Sequence, residues 1–402
     1  MSAIEPVVAT LGVPRDRTHV ELKIAYDAHR AGCLSSAELA AIGRNHRIAG
    51  WRRLKVLGVQ AIPSNDVGLH DPVHDTAAMI GAPQPVAGPV ERHPHRVASE
   101  LSAAHRRVAA WFDLDRSPAP PRLAPDRSFG LGSTKPVAEF LEAKLLDIHT
   151  RPVLLGPASF LACAVPMVAG FDPLDLLPRV LPVWSEVMRR LARAGADRIE
   201  IDEPCLADDP DGRFLAAAAQ ALTVLGDDRR LPEIVLTTGH GGIARALPTL
   251  ARLPIAGLHL DLVGAPDQLD AALEAWPAGR RLSLGVVDGR STRPADLPNL
   301  LRRLDPVVRR RGADTVELAP ATPLRRLTFH SPLETVVDTG VDDGMMFAAD
   351  KIGELRLLAR ALGQGAEAGG RTIASARAEA EARRPRPLAS RPRSGPGRVA
   401  AE

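Results

Sequence analysis

Eight short apolar segments, separated by helical patterns, constrain the fold of this chain more than any other feature. Most are rich in Val, Ile or Leu and stop at a Gly, Pro, Asp or Asn cluster, as buried parallel strands do. The predicted strands are Val7–Val13, Ala61–Asn65, Pro152–Gly156, Arg198–Asp202, Glu233–Thr238, Gly257–Leu262, Arg281–Val287 and Thr315–Ala319. Their alternation with helices predicts an α/β fold, a single (β/α)8 TIM-type barrel.

Helical patterns fill the intervals between these strands. The clearest is Ser36–Leu57, because Ser35 followed by Glu38 forms a capping-box pattern. The other predicted helices are Val97–Phe112, Leu174–Ala194, Asp267–Leu273, Ala295–Arg311 and Asp350–Leu362. The interval from Asn65 to Pro152 is much longer than the later ones, so we expect a long insertion after strand 2. It contains two loop-like stretches, Ala82–His95 and Ser117–Lys135.

Positive charge is concentrated at the carboxyl end. The stretch from Arg371 to Glu402 holds eight arginines and three glutamates, which leaves residues 1–370 with about −2 of the whole-chain charge of +3. Its prolines and its few large apolar residues predict a disordered C-terminal Arg/Pro-rich tail over residues 364–402, after a barrel domain spanning residues 1–363. Since the folded part is not basic, we expect no specific nucleic acid partner.

The chain carries no sequence signal for a membrane or for secretion. No apolar run reaches about 18 residues, and the first residues lack a basic region followed by an apolar stretch. Cys33, Cys163 and Cys205 lie far apart, which suits a reducing compartment better than a disulfide framework. We therefore expect a cytoplasmic protein.

Polar groups follow several predicted strands, at the barrel edge where ligands bind in such folds. Asp202 and Glu203 end the fourth strand, and alternation would aim them to opposite sides, so only one need face the barrel mouth. His240 lies in the Gly-rich loop Thr237–Gly242 and could act as acid or base. These three are the catalytic candidates. Each also has a structural interpretation, as a carboxylate bonded to neighbouring loops or as a merely exposed histidine.

Further polar side chains make the predicted mouth acidic. Asn65 and Asp66 end the second strand, and Asp261 and Asp288 end the sixth and seventh. Zinc requires about four convergent Cys, His or carboxylate ligands. Neither a Cys-x-x-Cys nor a His-x-Cys spacing occurs, and His240 could meet Cys205 only in space. We therefore predict no metal site in this chain.

Several of these segments together resemble the amino-terminal half of cobalamin-independent methionine synthase. The resemblance runs in order over roughly residues 7 to 363. It is carried by Ser64–Asp66, His70-Asp71, Asp75–Met79, Lys135-Pro136, Phe140–Lys144, Arg151–Pro157, Ile201–Pro204, Gly257–Val263 and Gly285–Arg290.

The resemblance implies an enzyme of two facing (β/α)8 barrels. In that family a methyl group passes from 5-methyltetrahydropteroyltriglutamate to homocysteine, at a zinc held by the second barrel. The resemblance thus implies no cofactor in this chain, a zinc-bearing C-terminal-like barrel as partner, and methyltetrahydrofolate polyglutamate as substrate. It adds Glu21 and Lys23 to Asn65, Asp66, Asp261 and Asp288 as substrate-binding candidates.

Two positions depart from the family pattern at the triglutamate site. Val20 precedes Glu21 where the family has Arg, and Ala110 precedes Trp111 where the family has Lys. Arg15, Arg17 and Arg122 are neighbouring cations that could compensate. Three hypotheses follow: an amino-terminal barrel working with a separate zinc-bearing barrel, a stand-alone barrel binding another small ligand, and a noncatalytic partner protein.

Overall fold

Eight parallel strands form the centre of the protein in the computed structural model. The structure describes residues 4–14, 17–66, 72–82, 102–112, 120–207, 209–327 and 347–383. The strands of the barrel are β1 (Val7–Val8), β2 (Ile62–Ser64), β4 (Thr150–Leu155), β6 (Arg198–Asp202), β7 (Glu233–Thr237), β8 (Gly257–Asp261), β9 (Arg281–Val287) and β10 (Val316–Pro320). All eight predicted strands are confirmed, although the first is shorter than predicted.

The order of the strands closes the sheet on itself. Neighbouring strands run β1-β10-β9-β8-β7-β6-β4-β2. The two ends of that order meet where Ala9 forms a parallel bridge with Ala61. Alternate residues of each strand face the barrel interior or the surrounding helices, and the helix-facing side is packed with Val, Ile and Leu. The fold is therefore the predicted α/β barrel.

The helices surround the barrel. They are α1 (Arg17–Arg30), α2 (Ser36–Val56), α3 (Pro72–Met79), α4 (Ala103–Trp111), α5 (Lys135–Lys144), α6 (Pro157–Cys163), α7 (Leu177–Ala194), α8 (Gly212–Gly226), α9 (Leu247–Leu250), α10 (Gln268–Ala275), α11 (Leu297–Arg311), α12 (Ala348–Gln364) and α13 (Ala366–Arg383). The capping box at the start of α2 is confirmed, because Ser35 Oγ accepts from Glu38 N at 3.2 Å and Ser35 N donates to Glu38 Oε2 at 2.9 Å. None of the helices in the described ranges is long and apolar enough to cross a membrane.

The long insertion lies between β2 and β4, as predicted. It contributes α3, α4 and α5, and a short strand β3 (Arg122–Leu123) that pairs in parallel with β5 (Val165–Pro166). The stretch 117–135 was predicted as loop, and β3 lies within it. The predicted helix Val97–Phe112 is observed from Ala103 to Trp111, and the predicted loop 82–95 falls outside the described residues after Ala82.

The carboxyl end corrects one prediction. Disorder was predicted from residue 364, but Ala366–Arg383 forms α13, which packs against α12 and α11. The sequence there is rich in Ala, Glu and Arg, which are strong helix formers, and Ile373 is buried. Gly369 allows close packing, because a Cβ at this position would lie 2.3 Å from Ala361 O. The prolines that suggested disorder begin only at Pro385, outside the described residues.

Candidate functional site at the barrel mouth

The carboxyl ends of β6, β7 and β8 bring several predicted site residues to the barrel mouth. Asp202 ends β6 and lies in register with Thr237 at the end of β7. Asp261 ends β8 opposite Gly285 of β9. Parallel strands end at the same edge of a sheet, so this convergence follows from the topology.

Asp202 is a buried carboxylate that accepts hydrogen bonds from two neighbouring side chains. Trp111 Nε1 donates to Asp202 Oδ2 at 2.9 Å, and the hydroxyl of Thr237 donates to Asp202 Oδ1. Burial raises the pKa of Asp202 to about 6, although the hydrogen bonds from Thr237 and Trp111 act in the opposite direction. Asp202 therefore holds the Trp111 ring in place and titrates closer to neutrality than an exposed aspartate.

Glu203 has a different environment from its neighbour. Its Oε1 accepts from Ala158 N at 3.0 Å and its Oε2 accepts from Ser159 N at 2.7 Å, at the first turn of α6. The fully buried side chain fits there because residue 156 is Gly, since a Cβ on Gly156 would lie 2.1 Å from Glu203 Cδ. Burial raises the pKa of Glu203 to about 7. These contacts give Glu203 a role in joining β6 to α6.

His240 and Arg290 meet over the end of α4. His240 Nε2 lies 2.7 Å from Arg290 Nη2, so the imidazole nitrogen accepts from the guanidinium. Arg290 Nη2 also donates to Ala110 O at 2.7 Å. The His240 ring packs edge-on against Trp111, with 5.2 Å between the ring centroids. Asp202, Trp111, His240 and Arg290 are thus linked by direct contacts.

A cavity of about 330 Å³ adjoins this group. It is lined by Ala103, Arg106, Arg107, Ala110, Pro204, Ala207 and His240. Arg106 is exposed, and Arg107 is half-buried with Nη1 donating to Cys205 O at 3.5 Å. The cations around this cavity make it suited to an anionic ligand, since arginine forms strong hydrogen bonds to carboxylates.

Asn65 and Asp66 lie in a second polar group at the mouth. Asn65 adopts the left-handed conformation (φ 58°), and its Oδ1 accepts from Lys135 Nζ at 2.8 Å. Asp66 is buried, accepts from Val13 N at 2.6 Å and forms an ion pair with Arg325. Lys135 also pairs with Asp75 at 3.3 Å and with Glu139 at 3.2 Å. The bonds of Asp66 tie the first two strand ends together.

Asp261 and Asp288 shape the loops of the mouth. Asp261 accepts from Gly241 N at 2.9 Å and from Gly264 N at 2.7 Å, and Asp288 accepts from Arg290 N at 2.8 Å. Gly239 is required by its φ of 85° and by Pro204 O, which would lie 2.6 Å from a Cβ. These two carboxylates therefore position the loops that carry His240 and Arg290.

Glu21 and Lys23 lie on α1 with exposed side chains, and α1 packs against α2. The structure therefore does not bring them into the contacts described above. Arg106, Arg107 and Arg290 were missing from the predicted binding residues. The available signal for Arg290 was its place in Gly285–Arg290, a segment that carries the family resemblance and of which only Asp288 was named as a binding candidate.

Within the described ranges, no group of three or more His, Cys, Asp or Glu side chains is placed to hold a metal ion. Cys205 is buried, with Sγ 3.7 Å from Ala104 O. Burial raises the pKa of its thiol to about 12, so it stays protonated near neutrality.

The fold and site define an α/β barrel with arginine and histidine side chains around a cavity at its mouth. The chain matches the family model for the cobalamin-independent synthase, N-terminal domain, over residues 7–312, and it belongs to this family. A 5-methyltetrahydropteroyltriglutamate–homocysteine methyltransferase from Caulobacter vibrioides is 43% identical, over 98% of this chain and 53% of the relative. A protein of the same name from Rhodopseudomonas palustris is 40% identical, over 94% of this chain and 51% of the relative.

Solved structures show the same fold. A B12-independent methionine synthase from a Shewanella strain, in complex with selenomethionine, is similar with a TM-score of 0.61 and 13% identity. The similarity covers 93% of this chain and 100% of that chain. The chain spans about half the length of the curated relatives it matches.

Proposed function

We propose that the mouth binds the anionic polyglutamate tail of a 5-methyltetrahydropteroyl substrate, and that methyl transfer to homocysteine uses a zinc-bearing barrel supplied from outside residues 1–402. The observation that carries this proposal is the position of Arg290. Its guanidinium contacts Ala110 O, at the place in the chain where the family pattern has a lysine side chain. A cation from the turn after β9 thus stands beside the position where the lysine is lost.

The surrounding charges support binding of a polyanion. Arg106 and Arg107 lie one helical turn before Ala110 on the same helix, and His240 adjoins them across the cavity. Hydrogen bonds between arginine and carboxylate contribute on the order of 1.5–3 kcal/mol each. A tail with several carboxylates gains more from such a cluster than a ligand with a single one.

The mouth carboxylates support binding more than acid–base chemistry. Both oxygens of Glu203 accept backbone N–H groups of α6, and both oxygens of Asp202 accept from Trp111 and Thr237. A general base must reach the proton that it removes. We therefore assign Asp202 and Glu203 to positioning, with Asp202 orienting Trp111 beside His240.

The need for a second barrel is inferred from the relatives. They are named for methyl transfer to homocysteine and are about twice as long as this chain. We expect the purified chain with added zinc to form no methionine from homocysteine and the methyl donor. Sustained turnover by this chain alone, measured as methionine released, would overturn the two-barrel part of the proposal.

Binding is tested by isothermal titration of the purified chain with 5-methyltetrahydropteroyl-triglutamate and with the monoglutamate. We expect micromolar binding of the triglutamate, and binding at least about tenfold weaker for the monoglutamate, because one lost charge-assisted hydrogen bond has that effect. If neither form binds, the folate proposal fails, and a ligand screen centred on Asp202 and His240 becomes the next experiment.

A further inference from the structure

A second cavity lies at the opposite end of the barrel. It has a volume of about 700 Å³ and is located at the amino-terminal ends of the strands β6 to β10. Four arginines are among its lining residues: Arg198, Arg229, Arg280 and Arg281. Asp228, Glu233 and Asp314 are the acidic ones. This floor cavity is separate from the mouth and from the residues of the proposed function.

Strand alternation aims Arg281 into the floor of the barrel. Ser283, two residues later on β9, faces the interior, where its hydroxyl lies 3.0 Å from His259 Nδ1. Arg281 therefore points to the same side, one layer nearer the floor. Its register partner on β8 is Gly257, which has no side chain to fill the space. Arg281 Nη1 is buried, and no described residue offers it a hydrogen-bond partner.

The carboxylates around the floor cavity are mostly paired with other cations. Arg198 Nε lies 3.0 Å from Glu233 Oε2, and Arg230 Nε lies 2.8 Å from Asp228 Oδ1. Among the interior carboxylates, Glu317 has the strongest electrostatic effect on Arg281. Its carboxylate is paired with Arg151 at 3.0 Å. Asp314 is the remaining carboxylate of the cavity lining, and its side chain is exposed at the outer edge of the cavity.

The arginines of the cavity lining also differ in whether neighbouring residues provide them with partners. Arg280 donates to Leu253 O at 2.6 Å and lies over the Trp276 ring, so it builds the wall. For Arg281 and the exposed Arg229, the described residues provide no ion pair. Burial lowers the pKa of Arg281, and the nearby Arg198 and Arg151 lower it further, while the charges of Glu317 and Glu233 act in the opposite direction. A partly buried guanidinium whose Nη1 has no hydrogen-bond partner among the described residues is stabilised by an anion that reaches it.

We propose that the floor cavity binds a small oxyanion with at least two negative charges, held by Arg281 and contacted from the rim by Arg229. Two cations without an ion pair among the described residues favour a doubly charged ligand over a monovalent ion. Phosphate and dicarboxylates share this chemistry, and the experiment below distinguishes between them.

The test is isothermal titration of the full chain with inorganic phosphate and, separately, with succinate, at an ionic strength held constant with chloride. We expect at least one of the two to bind with a Kd in the millimolar range or tighter. Arg281→Met should weaken that binding by about tenfold or more, the effect of losing a charge-assisted hydrogen bond. Arg371→Met, which removes one exposed positive charge from α13, should leave it unchanged.

Three results would overturn the proposal: no binding above the chloride background, equal affinity in Arg281→Met, or loss of binding in Arg290→Met instead, which would place the anion at the mouth. If Arg281→Met does not fold, Arg229→Met provides the test, because this exposed side chain lies on the rim. We expect binding about threefold weaker in that variant. An unchanged affinity there would also count against the site.

Discussion

The barrel interior and the barrel mouth use the same kinds of charged side chains in different ways. In the interior, Arg151 contacts Glu317 at 3.0 Å and Glu200 at 3.0 Å, and all three side chains are buried. At the mouth, Arg290 Nη2 donates to the Ala110 carbonyl and to the His240 ring, and Ala110 and His240 line an open cavity. The interior cluster is closed by its own partners, whereas the mouth cluster faces a space that a ligand can enter.

This difference separates stability from function. A closed, buried ion cluster contributes mainly by avoiding the large cost of an unpaired buried charge. A cation near an open cavity contributes less to folding than a buried one, and an anion can approach it from the solvent. We therefore expect mutations in the interior to change the free energy of unfolding and mutations at the mouth to change ligand affinity.

Arg151→Met should have the largest effect. It leaves Glu317 and Glu200 buried without their counterion, which costs about 3–5 kcal/mol of unfolding free energy. Urea unfolding followed by circular dichroism measures this loss. A loss below about 1 kcal/mol in the unfolding free energy would show that Glu317 and Glu200 do not depend on Arg151 as their buried counterion.

Glu203 makes stability depend on pH. Its pKa is raised from 4.5 to about 7, so the folded state holds the proton more tightly than the unfolded chain does. The resulting stabilisation is fully present below about pH 4.5 and is lost as the pH rises to about 7, with an upper limit of roughly 3 kcal/mol. In Glu203→Gln we expect a shallower fall in the unfolding free energy between pH 5 and pH 8.

The control for that measurement is Glu367→Gln, at an exposed position on α13. It should reproduce the pH dependence of the unchanged protein. The interpretation of Glu203 as a buried group with a raised pKa is contradicted if both variants have the slope of the unchanged protein.

Much of the architecture could be predicted from the sequence, because periodicity is a local property. The eight strands and the capping box at Ser35 were of this kind. The partners of charged groups could not be predicted in this way, because they are distant in sequence. Arg151 and Glu317, for example, are 166 positions apart. The adjacent pair Asp202-Glu203 was found, but only the structure shows that the start of α6 takes up both oxygens of Glu203.

The sequence analysis failed to predict helix α13 for a similar reason. Disorder over residues 364–402 was inferred from the composition of residues 371–402, which mixes an Ala-rich stretch with the proline-rich one beyond Arg383. The contact of Ile373 with the other helices depends on tertiary packing, which composition does not report.

The smallest predicted effect concerns Lys23. Its side chain is exposed on α1, where a single charge contributes little. Because the structure places Lys23 outside the mouth contacts, Lys23→Met should weaken triglutamate binding by no more than about twofold, with Lys55→Met as an exposed control. A loss much larger than that of Arg290→Met would move the centre of the anion site from Arg290 toward α1.

The measurement that tests the central claim most directly is the ratio of triglutamate to monoglutamate affinity in Arg290→Met and in the unchanged protein, by isothermal titration. If the mouth binds the tail through Arg290, triglutamate affinity should fall by about ten- to a hundredfold, monoglutamate affinity should change far less, and the unfolding free energy should stay nearly constant. An unaltered preference for the triglutamate in Arg290→Met would contradict the account.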